Sequence, residues 1–224
     1  MLAFERQFWA ANPGARLAGI DEAGRGPLAG PVVAGAVAIP EELIEDLWRG
    51  ELQGVADSKR LTAAERERLF GLLSSLPGVD WAVGIAEPAE IDAVNILRAT
   101  HRAMARAAAA LPGGLPAHAL VDGLPVRGLP CPSTAIVKGD AKSLLVAAAS
   151  IAAKVTRDRI MDELDRRHPG YGFAQHKGYP TPEHLAAVVE ADDAADIEIG
   201  IEPLVGRDAP RHAFSEARHP ERHV

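Results

Sequence analysis

An apolar run that stops on two adjacent acids constrains this chain more than any other stretch. Residues 17–31 read Leu-Ala-Gly-Ile-Asp-Glu-Ala-Gly-Arg-Gly-Pro-Leu-Ala-Gly-Pro. Leu17, Ala18 and Ile20 suit a buried strand, whereas Asp21 and Glu22 carry charges that are costly in a core unless paired, hydrogen-bonded or bound to a metal. The strand therefore has to end where a counter-cation can reach it. Gly24 and Gly26 lack a Cβ, which permits positive φ and a close approach of a ligand to the backbone. Arg25 between them offers a planar fork suited to phosphate. Carboxylates for a metal thus sit beside a cradle of phosphate size.

The rest of the chain supplies a sheet to hold that strand. Residues 31–40 are β-branched and apolar between two prolines and read as a second, largely buried strand. Thr62 and Glu65 form a capping box that opens a helix running to about Ser74. Residues 81–86 read as a third strand. After Pro88 a long helical stretch carries Ile96, Thr100, Met104, Ala107 and Leu111 at steps of three or four, and Pro112 followed by two glycines stops it. Residues 119–122 form a short strand ending in Asp122 before Gly123, and residues 135–140 repeat that arrangement up to Asp140. A helix follows from Lys142 to about His168 with Leu144, Ala148, Ile151 and Val155 as its buried stripe. Thr181, Pro182 and Glu183 open a last helix. The expected architecture is α/β, a mixed central sheet flanked by helices with a helical C-terminal region.

Composition narrows the function classes. With 224 residues, 47% of them hydrophobic, the chain can build one sizeable core. Residues 1–190 are expected to form one catalytic domain. Residues 191–224 read as an acidic and then His- and Arg-bearing tail of partly disordered composition. The single cysteine, Cys131, excludes an internal disulfide and a cysteine-rich zinc site, and it suits a reducing, cytoplasmic home. Nowhere do about 18 uninterrupted apolar residues occur, so no membrane span is expected. A net charge of −7 argues against a protein that coats nucleic acid nonspecifically, although residues 138–177 hold eight Lys or Arg against five acids. A local basic face is compatible with an acidic whole.

Asp21, Glu22, Asp122 and Asp140 share one grammar: each follows a short apolar run, with glycine close by. An Asp before Gly is more often a turn residue than a ligand. Four carboxylates gathered at strand ends, however, repel one another, and hard divalent cations relieve that repulsion. Oxygen-only ligation favours Mg²⁺ or Mn²⁺ over zinc, and two such ions can activate water and stabilise the leaving oxygen of a phosphodiester.

Six segments together closely resemble the bacterial ribonuclease HII family, the type 2 ribonucleases H. They are Gly19-Ile-Asp-Glu-Ala-Gly-Arg-Gly-Pro-Leu-Ala-Gly-Pro31, Asp57-Ser-Lys59, Leu120-Val-Asp-Gly123, Val137-Lys-Gly-Asp140, Ala147-Ala-Ala-Ser-Ile-Ala-Ala-Lys-Val-Thr-Arg-Asp158 and Tyr171-Gly-Phe-Ala-Gln-His-Lys-Gly-Tyr-Pro-Thr181. The resemblance covers about residues 16–189. It implies the ribonuclease H-like fold and a monomeric endonuclease that cuts the RNA strand of RNA/DNA hybrids and nicks 5′ of single ribonucleotides embedded in duplex DNA. The implied products are a 5′-phosphate and a 3′-hydroxyl.

By motif match, Asp21, Glu22, Asp122 and Asp140 are the implied metal-binding and catalytic carboxylates for two Mg²⁺ or Mn²⁺ ions. Gly24, Arg25 and Gly26 are implied to sense the ribose 2′-hydroxyl, and Tyr179 to stack on the sugar beside the scissile junction. Ser58 and Lys59 are implied to touch backbone phosphate. Read without the resemblance, Tyr179 is equally a half-buried packing tyrosine and Lys59 a solvated surface charge. Lys154, Arg157 and Lys177 are expected as phosphate neighbours by position and charge, while Asp158 suits an ion pair on its helix and stays outside the metal set. His176 lies beside the Lys-Gly-Tyr-Pro motif without an assigned role, and His184 forms no ligand spacing. The family's basic C-terminal stretch is only faintly echoed at residues 210–215. The nearest rivals are a type 3 ribonuclease H, which carries an extra N-terminal domain, and a catalytically silent module that binds hybrid duplexes. Contact with a replication clamp or polymerase is left unspecified.

Overall fold

The computed structural model describes residues 1–55 and 61–191. Five strands form one mixed sheet: β1 (Leu17–Ala23), β2 (Val32–Ala38), β3 (Asp80–Ala86), β4 (His118–Asp122) and β5 (Ser133–Ile136). Their spatial order is β3-β2-β1-β4-β5. β1 to β3 are antiparallel neighbours, and β4 and β5 add in parallel to β1. Among the described residues no helix is long and apolar enough to cross a membrane.

Each face of the sheet takes one long helix, and small residues decide how close it comes. α6 (Leu144–Arg167) lies on the face shown by Leu17, Gly19, Gly35 and Leu120, whereas α5 (Ile96–Ala109) covers the face shown by Ala18, Ile20, Ala34 and Val121. A methyl group on Gly19 would sit 2.1 Å from the Leu145 carbonyl carbon, and one on Gly35 would sit 2.3 Å from the Ala149 carbonyl oxygen. α6 answers with alanine at 147, 148, 149, 152 and 153, so helix and sheet backbones meet almost directly. Gly84 admits α5 in the same way, at 2.1 Å from the Ala103 carbonyl oxygen. The stripe expected on α6 is buried in its interface; of the one expected after Pro88, Thr100, Met104, Ala107 and Leu111 are buried, whereas Ile96 is half-buried.

The remaining helices brace the layers. α3 (Ala63–Ser75) starts at the expected capping box, with both halves made: the Glu65 amide donates to the Thr62 hydroxyl, and the Thr62 amide donates to the Glu65 carboxylate. α1 (Ala3–Ala11) and α2 (Glu41–Arg49) were not expected from the pattern; α1 lacks a side-chain cap and packs through Leu2, Phe4, Phe8 and Trp9. The helical stretch after Pro88 is two helices, α4 (Pro88–Val94) and α5, because Asn95 adopts a left-handed φ of 75° and caps the second through its side chain. The strand-like run expected up to Asp140 stops at Ile136. Lys138 then turns left-handed (φ 57°), and Asp140 rides a 3₁₀ turn over Gly139–Ala141. α6 begins at Leu144 rather than Lys142, with Ser143 as its N-cap. Two short helices, α7 (Phe173–His176) and α8 (Pro182–Ala191), complete the C-terminal region. From residue 192 onward the expected tail lies outside the described residues.

Glu5 ties the N-terminal helix to the start of α6. Its carboxylate is fully buried, and Oε1 accepts from the Ser143 hydroxyl at 2.7 Å and the Leu145 amide at 3.2 Å. Oε2 has no hydrogen-bond partner among the described residues. Burial raises its carboxyl above the ordinary value, with the Ser143 and backbone hydrogen bonds opposing. An acid with a higher pKa folded than unfolded lends stability that is complete below the unfolded pKa and lost as pH rises through the folded one. Glu5→Gln keeps an acceptor and removes the charge, so its melting temperature relative to wild type should climb between pH 4.5 and pH 8; a pH-independent difference would refute the buried charge.

The close packing on α6 makes a second expectation. Gly35→Ala should destabilise by roughly 1–3 kcal/mol in denaturant unfolding, as overpacking of a rigid interface does. Gly71→Ala, in α3 with nothing within 4 Å of its added methyl, should stabilise by about 0.5–1 kcal/mol through helix propensity.

Candidate active site

The acids meet at the C-terminal edge of β1 and β4. Ile20 pairs with Val121 in the parallel ladder, so the next residues, Asp21 and Asp122, leave the sheet side by side. Strand alternation puts both on the face that α6 covers, two residues beyond Gly19 and Leu120. Asp140 arrives on its 3₁₀ turn just ahead of α6. The Gly139 amide donates to Asp122 Oδ1 at 2.5 Å, which binds that turn to the end of β4. Asp21 and Asp140 are buried, at 7% and 4% exposure. The same alternation sends Glu22 the other way. Its charge, with those of Arg25 and Arg127, is felt by His101 on α5.

The four carboxylates share one field even though they leave the backbone on different faces. Asp21 is held well above the usual carboxylate range, first by burial, then by the charges of Glu22 and Asp122, and also by Asp140; the Glu22 amide opposes, donating to Asp21 Oδ1 at 2.7 Å. Such crowding of acids is a site in want of a cation. Among the described residues, however, no three His, Cys, Asp or Glu side chains converge tightly enough to hold an ion. Local hydrogen bonds hold three of the four carboxylates instead. Asp21 Oδ1 is turned to the Glu22 amide, Asp122 Oδ1 to the Gly139 amide, and Glu22 Oε1 to Arg25 at 3.0 Å. The donor set is nonetheless all carboxylate oxygen, which suits Mg²⁺ or Mn²⁺.

The glycine-arginine loop borders the acids. Gly24 has φ 106°, a left-handed conformation, and a Cβ there would strike Arg157 Nε and the Pro31 carbonyl oxygen, each at 2.5 Å. Gly26 does not adopt positive φ; its lack of a side chain leaves room for the Tyr179 ring, whose Cε1 lies 3.5 Å from where a Cβ would stand. Arg25 is half exposed and pairs with Glu22. Tyr179 is 46% exposed. Asp21, Glu22, Gly24, Arg25, Gly26, Asp122, Asp140 and Tyr179 thus line one edge of the molecule, whereas Ser58 and Lys59 fall outside the described residues.

The three further basic residues have other duties. Lys154 pairs with Asp158 at 2.7 Å, the ion pair expected for that aspartate, and Lys177 pairs with Asp162. Arg157 is not a phosphate neighbour. It is 1% exposed, and its guanidinium donates to three carbonyls: Nε to Pro31 at 3.0 Å, Nη2 to Ala29 at 3.0 Å and Nη1 to Lys177 at 2.9 Å. Arg157 therefore bolts the loop after Gly24 to the turn that precedes Tyr179. The Leu28 amide, which donates to the Gly178 carbonyl at 2.8 Å, adds a second tie. One signal in the sequence marks the burial of this arginine: it continues the four-residue stripe of Ala149 and Ala153 toward Met161.

A lysine ammonium cannot span three diverging carbonyls as a planar guanidinium does. Arg157→Lys should cost about 1–3 kcal/mol for each carbonyl left without a donor, read as a lower urea midpoint, and should weaken duplex binding in a filter or anisotropy assay. Unchanged stability would refute the bolt.

Residues 18–199 match the family described as Ribonuclease HII. The chain is similar to ribonuclease HII of Geobacillus thermodenitrificans (strain NG80-2), with 55% identity over 190 residues that cover 84% of this chain and 68% of the relative. Among solved structures it is similar to the ribonuclease H2 from Pyrococcus horikoshii OT3, at TM-score 0.70 and 35% identity over 83% of this chain and 91% of that one. It is also similar to the Archaeoglobus fulgidus ribonuclease HII solved in a complex with PCNA, at TM-score 0.66 and 29% identity over 88% and 98% of the two chains.

Proposed function

The chain belongs to the ribonuclease HII family and is a nuclease of the type 2 ribonuclease H class, and we propose that it nicks duplex DNA on the 5′ side of embedded ribonucleotides and cuts the RNA strand of RNA/DNA hybrids with two divalent ions. The observation that carries this reading is the position of Asp21, buried under the charges of Glu22, Asp122 and Asp140. We read residues 1–190 as the catalytic unit.

In this reading Asp21, Glu22, Asp122 and Asp140 hold the ions. When bound, Mg²⁺ or Mn²⁺ supplies the activation of the attacking water and the stabilisation of the departing 3′-oxygen. The chain's own residues do the rest. Asp21 and Asp140, fixed by burial, give the site its place in the sheet edge. Asp122 is oriented by the Gly139 amide, and Glu22, with one more methylene, reaches around the strand end from the opposite face. The loop backbone at Gly24, Arg25 and Gly26 meets the sugar of the substrate, where a 2′-hydroxyl can both donate and accept. Arg25 exchanges its exposed tie to Glu22 for a phosphate oxygen, a cheap exchange because an exposed ion pair is worth little. Tyr179 offers its half-exposed ring, next to Gly26, to the sugar beside the junction. The hydroxyl is read and not consumed, so the products are a 5′-phosphate and a 3′-hydroxyl.

Asp122→Asn tests the reading because the amide oxygen still accepts from Gly139 and leaves that turn in place. Nicking of a DNA duplex with one ribonucleotide, in Mg²⁺ or Mn²⁺, should fall by about 10³-fold or more, equivalent to roughly 4 kcal/mol of lost charge stabilisation, with a melting temperature no lower than that of the wild type, because one repelling charge beside Asp21 is gone. Retained activity would remove Asp122 from the chemistry. Mapping the cut with end-labelled substrate fixes the side of cleavage, and a cut on the 3′ side would contradict the reading.

A further inference from the structure

We propose that His184, stacked on His176, is a positioning residue that fixes the Tyr179 turn against the glycine-arginine loop and thereby sets how well the sugar at a ribonucleotide junction is bound. The proposal rests on the reading of Tyr179 as a substrate contact.

The chain reverses sharply just before Tyr179. Lys177 (φ 52°) and Gly178 (φ 82°) are both left-handed, and a Cβ on Gly178 would lie 2.3 Å from the Ala29 carbonyl oxygen. A lysine in that region is strained and needs its surroundings to hold it. Two imidazoles do so. Their rings stack at 4.2 Å and 16°, and both meet Phe173 edge-on.

The hydrogen bonds assign a proton to each ring. His176 Nε2 lies 2.7 Å from the Tyr171 carbonyl oxygen, which can only accept, so Nε2 carries the hydrogen. His176 Nδ1 then accepts from the Gly178 amide at 3.1 Å. His184 has the opposite form. Its Nδ1 lies 2.9 Å from the Tyr179 carbonyl oxygen and must donate, so its Nε2 is bare. His176 thus holds the turn at Gly178 and His184 holds it at Tyr179. The Tyr179 amide also donates to the His176 carbonyl, and the Thr181 amide donates to the Tyr179 carbonyl.

The burial of His184 argues against simple space filling. It is fully buried at the third position of α8, and its Nε2 has no hydrogen-bond partner among the described residues. An apolar side chain would fill the same hole without removing two ring nitrogens from water. Burial also pushes its pKa down, which keeps the ring in the neutral form that the stack requires, while the Tyr179 carbonyl opposes. What the imidazole adds is the Nδ1–H aimed at Tyr179, the residue beside Gly26.

Two variants separate donor from ring. His184→Phe keeps an aromatic ring and loses the donor, whereas His184→Asn places an amide nitrogen near the Nδ1 position and loses the ring. On a duplex with one ribonucleotide, His184→Phe should raise KM roughly five- to tenfold, the effect of about one hydrogen bond, with a smaller change in kcat. His184→Asn should recover most of that loss, and in a Tyr179→Ala background His184→Phe should have no further effect. An equal rise in KM in both backgrounds, or none in either, overturns the proposal. Long-range ¹H–¹⁵N spectra of the wild-type protein provide a readout independent of activity and of variant folding: His184 protonated on Nδ1 and His176 on Nε2 support it, and His184 protonated on Nε2 overturns it. If Tyr179→Ala alone leaves KM unchanged, the proposal falls through its premise about Tyr179, and the tautomers show whether the physical link survives. If the wild type does not cut the duplex at all, the failure belongs to the proposed function.

Discussion

Direct backbone contact between α6 and the β1–β2 pair is the constraint on which the site depends. Gly19 and Gly35 present no side chain to the helix, and the helix presents mostly alanine in return. The depth of α6 is therefore set by main-chain atoms, which cannot repack as larger side chains do. Two distant parts of the site ride on that one helix. Its N-terminus follows the turn that carries Asp140, and its middle carries Arg157, which reaches the loops at Ala29, Pro31 and Lys177. Glu5 fixes the N-terminal end from the far side through Ser143 and Leu145.

Opposite charges are buried within this frame, and each is treated differently. Arg157 is taken out of water but placed among three carbonyl oxygens, so it has hydrogen bonds for its charge and acts as a fixed strut. Asp21 is taken out of water beside three more carboxylates, and the Glu22 backbone amide offsets only part of that cost. The first arrangement is complete within the chain. The second leaves electrostatic strain that a divalent cation would relieve, which is how a structural frame and a reactive edge can share one helix.

Sequence pattern found the parts whose causes are local. The capping box of Thr62 and Glu65, the apolar runs of β1 to β4 and the buried stripes of α5 and α6 follow from periodicity and from hydrogen bonds within a few residues. Patterns fail where a distant contact decides. α1 has no cap and exists because its apolar face meets the core, and the helix after Pro88 breaks at Asn95 through a left-handed residue that no period announces. Asp140 looks like the end of a strand because residues 135–137 are apolar or β-branched, yet the ladder to β4 stops at Ile136 and the chain turns at Lys138.

The sequence by itself determined which side chains are candidates for the chemistry: acids placed after short apolar runs, a glycine-arginine loop beside the first pair, and a tyrosine in a motif that resembles the ribonuclease HII family. Only the tertiary structure decided how they are held. It turned Arg157 from an expected phosphate neighbour into a bolt between two loops, buried Asp21 among the charges of Glu22, Asp122 and Asp140, and joined His176 and His184 under the Tyr179 turn. The physical reason is range. A residue's charge and its place in a strand are local properties, whereas burial, hydrogen-bond partners and tautomer depend on segments that the chain brings together only after α6 has settled on Gly19 and Gly35.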